Sequence, residues 1–301
     1  MRGGLAEIQV RGQRMVLAGA PDSYLRHLYT VDWDNHPLLA LVSSVPAGEV
    51  YLDIGANIGA TAIAAALMRP DLRVVAFEPV PSNFGFLSHN VVANGLRNCT
   101  AVPVAVGDIC SHVGVTDAGP YSLVLLDHAA PSVPIVRLDD YWGKHLKGAR
   151  VSVVKVDVEG YEPNVLAGAA ELLRQFCPTI FMEFNSWTLL VQGYNPIAFA
   201  RYLVEAFQID PLPGVDTSDA LSLAQENMIH HACVFDITMR PREQAPPVSL
   251  NALKLGVSPG ELVAEALNRG LVEEVRALRA STSWRITAPL RAFKDMVSGR
   301  H

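Results

Sequence analysis

The feature that most constrains this chain is an apolar strand that ends in an acid and turns through two glycines into a helix. Residues 50–54 are followed by Gly55-Ala56-Asn57-Ile58-Gly59 and an alanine-rich run to Met68. Gly55 permits a tight turn and close approach of a ligand to the backbone, and Gly59 permits close packing of the helix. The first N–H groups of that helix are free to bind an anionic ligand group. The segment therefore predicts a loop that binds a nucleotide or a nucleoside-containing cofactor.

Two residues distinguish this loop from the loops that bind dinucleotides. Asn57 takes the place of the middle glycine, and Asp53 puts a carboxylate at the loop entrance, where it would repel a dianionic pyrophosphate. S-adenosylmethionine carries no phosphate, and Asp53 can hold its ammonium group directly or through water. We therefore expect S-adenosylmethionine as the cofactor, with Asp53, Gly55, Asn57 and Gly59 in its site.

The rest of the chain indicates a mostly parallel sheet with helices on both faces. Apolar runs at 73–77, 100–106, 151–156 and 179–184 alternate with helical segments at 58–68, 81–94 and 162–176. Continuous apolar strands separated by helices are typical of α/β folds with a buried parallel sheet.

The pattern divides the chain into three regions. These are a cap at 1–49, with a hairpin over residues 5–17 and a helix over 36–45, a cofactor-binding domain at 50–240, and an appendage at 241–301. The appendage contains a linker, an amphipathic helix over 259–280 and a basic tail.

Two stretches interrupt the central domain. Residues 112–136 contain short β-like runs and predict a small antiparallel insertion near the sheet edge. Residues 211–227 predict a polar, proline-rich loop before a last strand at 229–238. That strand would carry His230 and His231, whose side chains would point to opposite faces and so would not share a metal ion.

Two acids follow the second and third strands of the domain. Glu78, in Phe77-Glu78-Pro79, is placed to accept both ribose hydroxyls of an adenosyl group. Asp108, in Val106-Gly107-Asp108, can bind the adenine amino group or belong to an ordinary turn.

Three more acids follow the next two strands. Asp157 and Glu159 lie in Lys155-Val156-Asp157-Val158-Glu159-Gly160-Tyr161-Glu162, and Glu183 ends the following apolar run. Open α/β sheets bind ligands at this edge. We therefore predict Asp157, Glu159 and Glu183 as catalytic residues, with Asp157 the first candidate for the base and the two glutamates as alternatives that can instead bind the acceptor's hydroxyls.

A cluster of like charges needs compensation when it is buried. Lys155, the sulfonium of the cofactor and a divalent cation are candidates, of which we expect Lys155 to pair with a neighbouring acid, and we assign no metal ligands. The segment with His27, Tyr29, Trp33 and His36 can form a roof over the site, because aromatic and imidazole rings suit a sugar, or it can be a packed cap.

These motifs, together with Leu138-Asp139-Asp140 and Val165-Leu166-Ala167-Gly168-Ala169, resemble the FkbM-type methyltransferase family over roughly residues 35–190. The resemblance implies a class I methyltransferase fold, which is a Rossmann-like, mostly parallel seven-stranded sheet. It also implies transfer of a methyl group from S-adenosylmethionine, usually to a hydroxyl of a sugar or polyketide-like acceptor. The acceptor itself is left open.

The end of the chain carries a second resemblance. Residues 280–291 are similar to tails of bacterial enzymes that assemble surface polysaccharides. The resemblance suggests that pathway, with residues 259–301 docking onto other enzymes or an anionic membrane surface. Packing of this end in a homo-oligomer is the alternative.

Composition excludes some other classes. A net charge of −6 argues against nucleic acid as a partner, because phosphate binding needs clustered Lys and Arg. No apolar run reaches the length of a membrane span, and the four cysteines fit neither a zinc site nor a disulfide framework, so we expect a cytoplasmic protein. The remaining alternatives are an NAD-dependent sugar dehydrogenase or epimerase and a non-catalytic scaffold.

Overall fold

The structure is a computed structural model that describes residues 4–116, 124–125, 132–146 and 148–255. Met1–Leu253 form one compact unit, and a second unit comprises Lys254–His301, of which residues 254–255 are described. The amphipathic helix and the basic tail predicted from the sequence lie outside the described residues. Within the described ranges, no helix has both the length and the apolar character that crossing a membrane requires.

The described residues form thirteen strands and eleven helices. The strands are β1 (Gly4–Val10), β2 (Gln13–Gly19), β3 (Val50–Ile54), β4 (Arg73–Phe77), β5 (Cys99–Val102), β6 (Ala105–Gly107), β7 (Ser111–Val115), β8 (Val124–Leu125), β9 (Ser132–Arg137), β10 (Val151–Val156), β11 (Thr179–Asn185), β12 (Phe207–Ile209) and β13 (Val234–Pro241). The helices are α1 (Ser23–His27), α2 (Pro37–Ser43), α3 (Ala60–Met68), α4 (Pro81–Ala93), α5 (Leu138–His145), α6 (Glu162–Gly168), α7 (Ala170–Phe176), α8 (Ser186–Val191), α9 (Pro196–Ala206), α10 (Ala220–His230) and α11 (Leu250–Leu253).

The main sheet has seven strands in the order β12-β13-β11-β10-β3-β4-β5. Strands β11, β10, β3, β4 and β5 are parallel to one another, and β13 runs antiparallel between β11 and β12. This confirms the predicted fold class. From β3 the chain proceeds to β4 on one side, whereas β10 leads to β11 on the other. The crevice at the carboxyl ends of β3 and β10 is therefore the ligand-binding position of such a sheet.

Each face of the sheet has its own apolar core. Successive strand residues point to opposite faces, so Tyr51 packs with the β1–β2 hairpin and helices α1 to α4, whereas Leu52 packs with helices α5 to α11. Both side chains are fully buried. The predicted hairpin and the cap helix are confirmed, and they cover the first of these faces.

Two predicted elements are each divided in the structure. The run 100–106 forms two strands, because Pro103 has no N–H to donate and the chain leaves β4 there to pair as β6 with β9. The predicted helix 162–176 is interrupted at Ala169, whose backbone is not helical. Gly168 packs so closely on Gly107 that an added Cβ would lie 1.8 Å from its carbonyl oxygen.

The predictions of a loop over residues 211–227 and of a last strand over 229–238 are wrong in part. Residues 220–230 form α10, because Leu223, Ala224 and Asn227 recur at helical spacing and are buried, and Asp219 caps the helix. The polar residues between them hide this period in the sequence. His230 is the last residue of α10 and His231 follows it, so neither lies on the strand, which begins at Val234.

The predicted insertion forms a separate sheet in the order β6-β9-β7-β8. Strand β7 is antiparallel to β8 and β9, as expected, but β6 pairs with β9 in parallel.

Two asparagines, one in the last turn of α4 and one directly after it, bind the outer edge of the hairpin. The Asn90 side chain accepts a hydrogen bond from the N–H of Ala18 (2.7 Å) and donates to the carbonyls of Ala18 and Ile58 (both 2.9 Å). Asn94, one helical turn later, forms the same pair of bonds with Val16 (2.9 and 2.7 Å). The two amides act as a substitute strand, which attaches the cap to the glycine loop.

We expect Asn90→Leu to lower the free energy of unfolding by about 2–4 kcal/mol, because three backbone groups lose their partner in a buried site. Chemical denaturation measures the change. Ser88→Ala, at an exposed position of the same helix, is the control and is expected to stay within about 0.5 kcal/mol of the wild type. Equal stability of the two variants would contradict the role assigned to Asn90.

Candidate active site

The glycine loop between β3 and α3 needs its glycines for packing within the protein. Gly55, Asn57 and Gly59 all have positive φ, at +81°, +52° and +92°. A Cβ added to Gly55 would lie 1.8 Å from the backbone oxygen of Asp157, and one added to Gly59 would lie 2.5 Å from the Leu87 side chain. Gly59 thus permits the predicted helix packing. At Gly55 the close neighbour is the chain after β10, whereas the sequence predicts close approach of a ligand.

Lys155 joins the loop to the two central strands. Its ammonium lies 3.0 Å from a carboxylate oxygen of Asp157 and 3.4 Å from one of Asp53, and it donates a hydrogen bond to the carbonyl of Gly55 (3.1 Å). Burial by itself would lower the pKa of Lys155, but the carboxylates of Asp157 and Asp53 outweigh it and raise that pKa. The expected pairing of Lys155 with neighbouring acids is confirmed.

Asp53 is fully buried, with one carboxylate oxygen near Lys155 and the other accepting a hydrogen bond from the Thr61 hydroxyl (2.6 Å). It does not line the cavity described below. Its charge reaches a ligand through Lys155 and the loop, and direct contact with a cofactor would require the carboxylate to move. Its assignment to the cofactor site stays a prediction.

Glu78 follows β4 and faces the loop. Its carboxylate accepts hydrogen bonds from the backbone N–H groups of Asn57 (2.8 Å) and Val80 (2.9 Å). Burial raises the pKa of Glu78 to about 7, against the effect of these two donors. Glu78 also lines the cavity described below.

Three carboxyl groups converge where β10 and β11 end. One oxygen each of Asp157, Glu159 and Glu183 lies within 4.8 Å of the others. Burial and the neighbouring acids raise the pKa of Glu159 to about 8 and that of Glu183 to about 10. The spacing suits carboxyl groups that share protons, and it also allows one oxygen of each to contact a single cation.

Glu162 begins α6 and supports the backbone of this cluster. It is fully buried, and one carboxylate oxygen accepts hydrogen bonds from the N–H groups of Val158 and Gly160 (both 3.2 Å). Burial raises the pKa of Glu162 to about 7. These bonds fix the turn in which Glu159 adopts a positive φ of +54°.

A cavity of about 360 Å³ connects these groups. Residues from the cap close it on one side, namely Tyr24, His27, Leu28, Val31, Trp33 and His36. Three of the four predicted roof residues therefore line the cavity. Tyr29 does not, because its side chain is exposed and its hydroxyl accepts a hydrogen bond from the N–H of Glu7.

The structure brings most of the predicted site residues to this cavity. It is lined by Gly55, Asn57, Glu78, Asp157, Glu159 and Glu183. Asp53 and Gly59 support the loop from behind. Asp108 accepts a hydrogen bond from the Asn164 side chain (2.8 Å) and is not among the lining residues, although Val106 is. An adenine contact from Asp108 stays a prediction.

The sequence did not single out two lining residues, Tyr24 and Asp236. Asp236 lies on β13 directly opposite Glu183 on β11. An acid between Phe235 and Ile237 in a predicted strand is the sequence signal that could have identified Asp236. The start of that strand was predicted wrongly. Tyr24 lies in α1, a five-residue helix too short to show a period.

Comparison with known proteins gives similarities to methyltransferases. A family model described as the methyltransferase FkbM domain matches residues 53–203, half of the chain. The chain is 29% identical over 161 residues to 31-O-demethyl-FK506 methyltransferase FkbM of Streptomyces tacrolimicus, which covers 41% of this chain and 60% of that protein. It is 24% identical over 151 residues to Methyltransferase 1 of Beauveria bassiana (strain ARSEF 2860), which covers 42% and 61%.

The chain thus spans about three fifths of the length of these two curated relatives. Among solved structures it is similar to methyltransferase FkbM from Methylobacillus flagellatus KT, with 16% identity and a TM-score of 0.42, over 69% of this chain and 48% of that one.

We expect Glu183→Gln to weaken the loss of thermal stability at alkaline pH. Because the pKa of Glu183 is raised in the folded state, the folded chain keeps a proton that the unfolded chain loses above the usual carboxyl pKa, and stability falls as pH rises through this window. Glutamine removes this titration. The variant should melt close to the wild type at pH 5 and several degrees higher at pH 9 by calorimetry.

Glu171→Gln, at an exposed position on α7, is the matched control and should keep the wild-type pH profile. If the melting temperature of Glu183→Gln changes with pH in the same way as that of the wild type, the pKa of Glu183 is not raised in the folded protein.

Proposed function

Because this chain belongs to the methyltransferase FkbM domain family, we propose that it transfers a methyl group from S-adenosylmethionine to a hydroxyl of a sugar, a glycan or a related natural product. One observation carries the proposal. A single cavity is lined by the glycine loop and Glu78 and also by the carboxyl groups of Asp157, Glu159 and Glu183. The first group of residues suits an adenosyl cofactor, and the second suits a hydroxylated acceptor.

The residues of the first group fit S-adenosylmethionine. Glu78 is oriented by the backbone N–H groups of Asn57 and Val80, and its carboxylate faces the cavity, where it can accept a hydrogen bond from a ribose hydroxyl. The cavity volume, about 360 Å³, falls within the usual range for small-molecule sites. Five carboxyl groups line the cavity against one ammonium, that of Lys155, among the described residues. That ammonium is already paired with Asp157 and Asp53, so among the described lining residues it is not available to bind a dianionic pyrophosphate.

The chain's own residues then have to orient the acceptor. Bound S-adenosylmethionine supplies an activated methyl group, so catalysis consists of alignment and removal of the hydroxyl proton. Glu159 and Glu183 retain protons at neutral pH and can both donate to and accept from sugar hydroxyls. Trp33 and Tyr24 supply ring surface for the apolar side of the acceptor.

An oxygen acceptor is supported by the name of the Streptomyces relative, a 31-O-demethyl-FK506 methyltransferase. A place in surface-polysaccharide synthesis is our further proposal, supported by the resemblance of residues 280–291 to tails of enzymes from such pathways. On this view, residues 259–301 dock the enzyme to its pathway partners or membrane.

We expect calorimetry to show binding of S-adenosylmethionine and no binding of NAD. Glu78→Gln should weaken S-adenosylmethionine binding by about 10-fold or more, because a neutral amide replaces an anionic acceptor of a ribose hydroxyl. Glu205→Gln, exposed on α9, should bind like the wild type. Tight binding of NAD, or an unchanged affinity in Glu78→Gln, would overturn the cofactor assignment.

We expect the purified protein to release S-adenosylhomocysteine when it is given S-adenosylmethionine and a panel of methyl glycosides. Release should stop when the accepting hydroxyl of the best glycoside is replaced by hydrogen, and mass spectrometry should locate the added methyl group on that oxygen. Methyl transfer to nitrogen or carbon would contradict the proposed reaction, and a protein that binds the cofactor without methylating any glycoside would contradict the sugar acceptor.

A further inference from the structure

The cap contributes a histidine to the face of the sheet on which the acid cluster lies. Asp53, Lys155 and Phe181 are register partners on β3, β10 and β11, so their side chains share one face. Two positions further along lie Gly55, Asp157 and Glu183, which reach the carboxyl edge of the same face. His36 packs on this face, with its ring centroid 6.3 Å from that of Phe181.

The His36 ring is oriented by stacking. On its other side it stacks on Trp33, with ring centroids 5.5 Å apart and planes 15° from parallel. Its Nδ1 atom is buried and has no hydrogen-bond partner among the described residues. Because Nδ1 is buried while His36 lines the cavity, Nε2 is the nitrogen that meets the cavity. Two rings thus orient an imidazole that lines the same cavity as the acid cluster.

The three carboxyl groups of the acid cluster are poorer bases. Asp157 is held in an ion pair with Lys155 at 3.0 Å. Glu159 and Glu183 keep their protons at neutral pH, since burial and the neighbouring acids raise their pKa values. Proton removal from a sugar hydroxyl needs a group that is unprotonated and unpaired near neutral pH.

The surroundings of His36 keep its imidazole neutral. Burial lowers the pKa of His36 below its ordinary value, and the positive charge of Lys155 lowers it further. No carboxylate of the described residues accepts a hydrogen bond from Nδ1, so the protein does not stabilise an imidazolium there. The charged or acidic groups that face the same cavity are Lys155, Glu78, Asp157, Glu159, Glu183 and Asp236.

We propose that His36 is the general base of the methyl transfer, which rests on the proposed function. Nε2 of His36 accepts the hydroxyl proton while the acceptor oxygen bonds to the methyl carbon, and the electron pair of the broken carbon–sulfur bond stays on sulfur. The products are the methyl ether, S-adenosylhomocysteine and an imidazolium that loses its proton to water. His36 lies before residue 53, so the base comes from outside the part of the chain that matches the family model.

Nuclear magnetic resonance tests the histidine without any acceptor. In the wild-type protein, the His36 ring signals, assigned by their loss in His36→Asn, are expected to titrate below pH 6.5 and to shift when S-adenosylhomocysteine is added. A His36 pKa above 7, or signals that do not respond to S-adenosylhomocysteine, would overturn the proposal.

Kinetics test the base directly, with the methyl glycoside that the wild type turns over fastest. We expect His36→Asn to lower kcat by about 100-fold or more while its affinity for S-adenosylmethionine stays within about threefold. Wild-type kcat should fall toward low pH with the pKa measured by resonance, because protonated His36 cannot accept a proton, and this acidic limb should be absent in His36→Asn. A packing role would not remove the limb. His89→Gln, exposed on α4, should behave as wild type.

If His36→Asn fails to fold, His36→Gln replaces it for the resonance assignment and for the kinetics, and a wild-type kinetic pKa that differs from the His36 resonance pKa would contradict the proposal. A protein that binds S-adenosylmethionine but methylates no glycoside contradicts the sugar acceptor, and the resonance titration then decides the assignment of His36 alone.

Discussion

One buried ammonium organises the centre of this protein. Lys155 contacts Asp53 on β3, Asp157 after β10 and the carbonyl of Gly55 in the glycine loop, so a single side chain fixes three segments that are distant in sequence. Burying a charge is costly unless its partners are close and numerous. Here two carboxylates and a carbonyl meet that condition, and the cost of losing any one of them keeps the strand ends and the loop in register.

The same ammonium sets the electrostatics of the cavity. Its attraction does not offset the burial of the other acids: burial raises the pKa of Glu78, and burial together with repulsion from neighbouring acids raises the pKa values of Glu159 and Glu183. The result is a concave site that disfavours phosphate, accepts a cation and offers protonated carboxyl groups to hydroxyls. Its roof comes from the cap, which α4 attaches through the amides of Asn90 and Asn94.

Most of the fold could be predicted because its signals are local. The apolar runs identify β3, β4, β10 and β11, and the acids that follow them were placed at one edge by the parallel topology. Predictions failed where the local signal was overridden. The polar residues of α10 obscure its helical period in the sequence. The strand that carries Asp236 was therefore predicted to start too early. Pro103 ended a strand whose apolar pattern continued into a second sheet.

The sequence by itself determined the strand-loop-helix unit, the seven-stranded class and the glycine-loop and strand-end residues that line the cavity, because periodicity and strand-end acids are properties of neighbouring positions. Tertiary structure decided the rest. Glu78 lines the cavity, whereas Asp53 is buried behind it. This difference depends on how the loop packs on the strands. Whether His36 faces the reacting groups depends on a cap held through bonds between residues more than 70 positions apart.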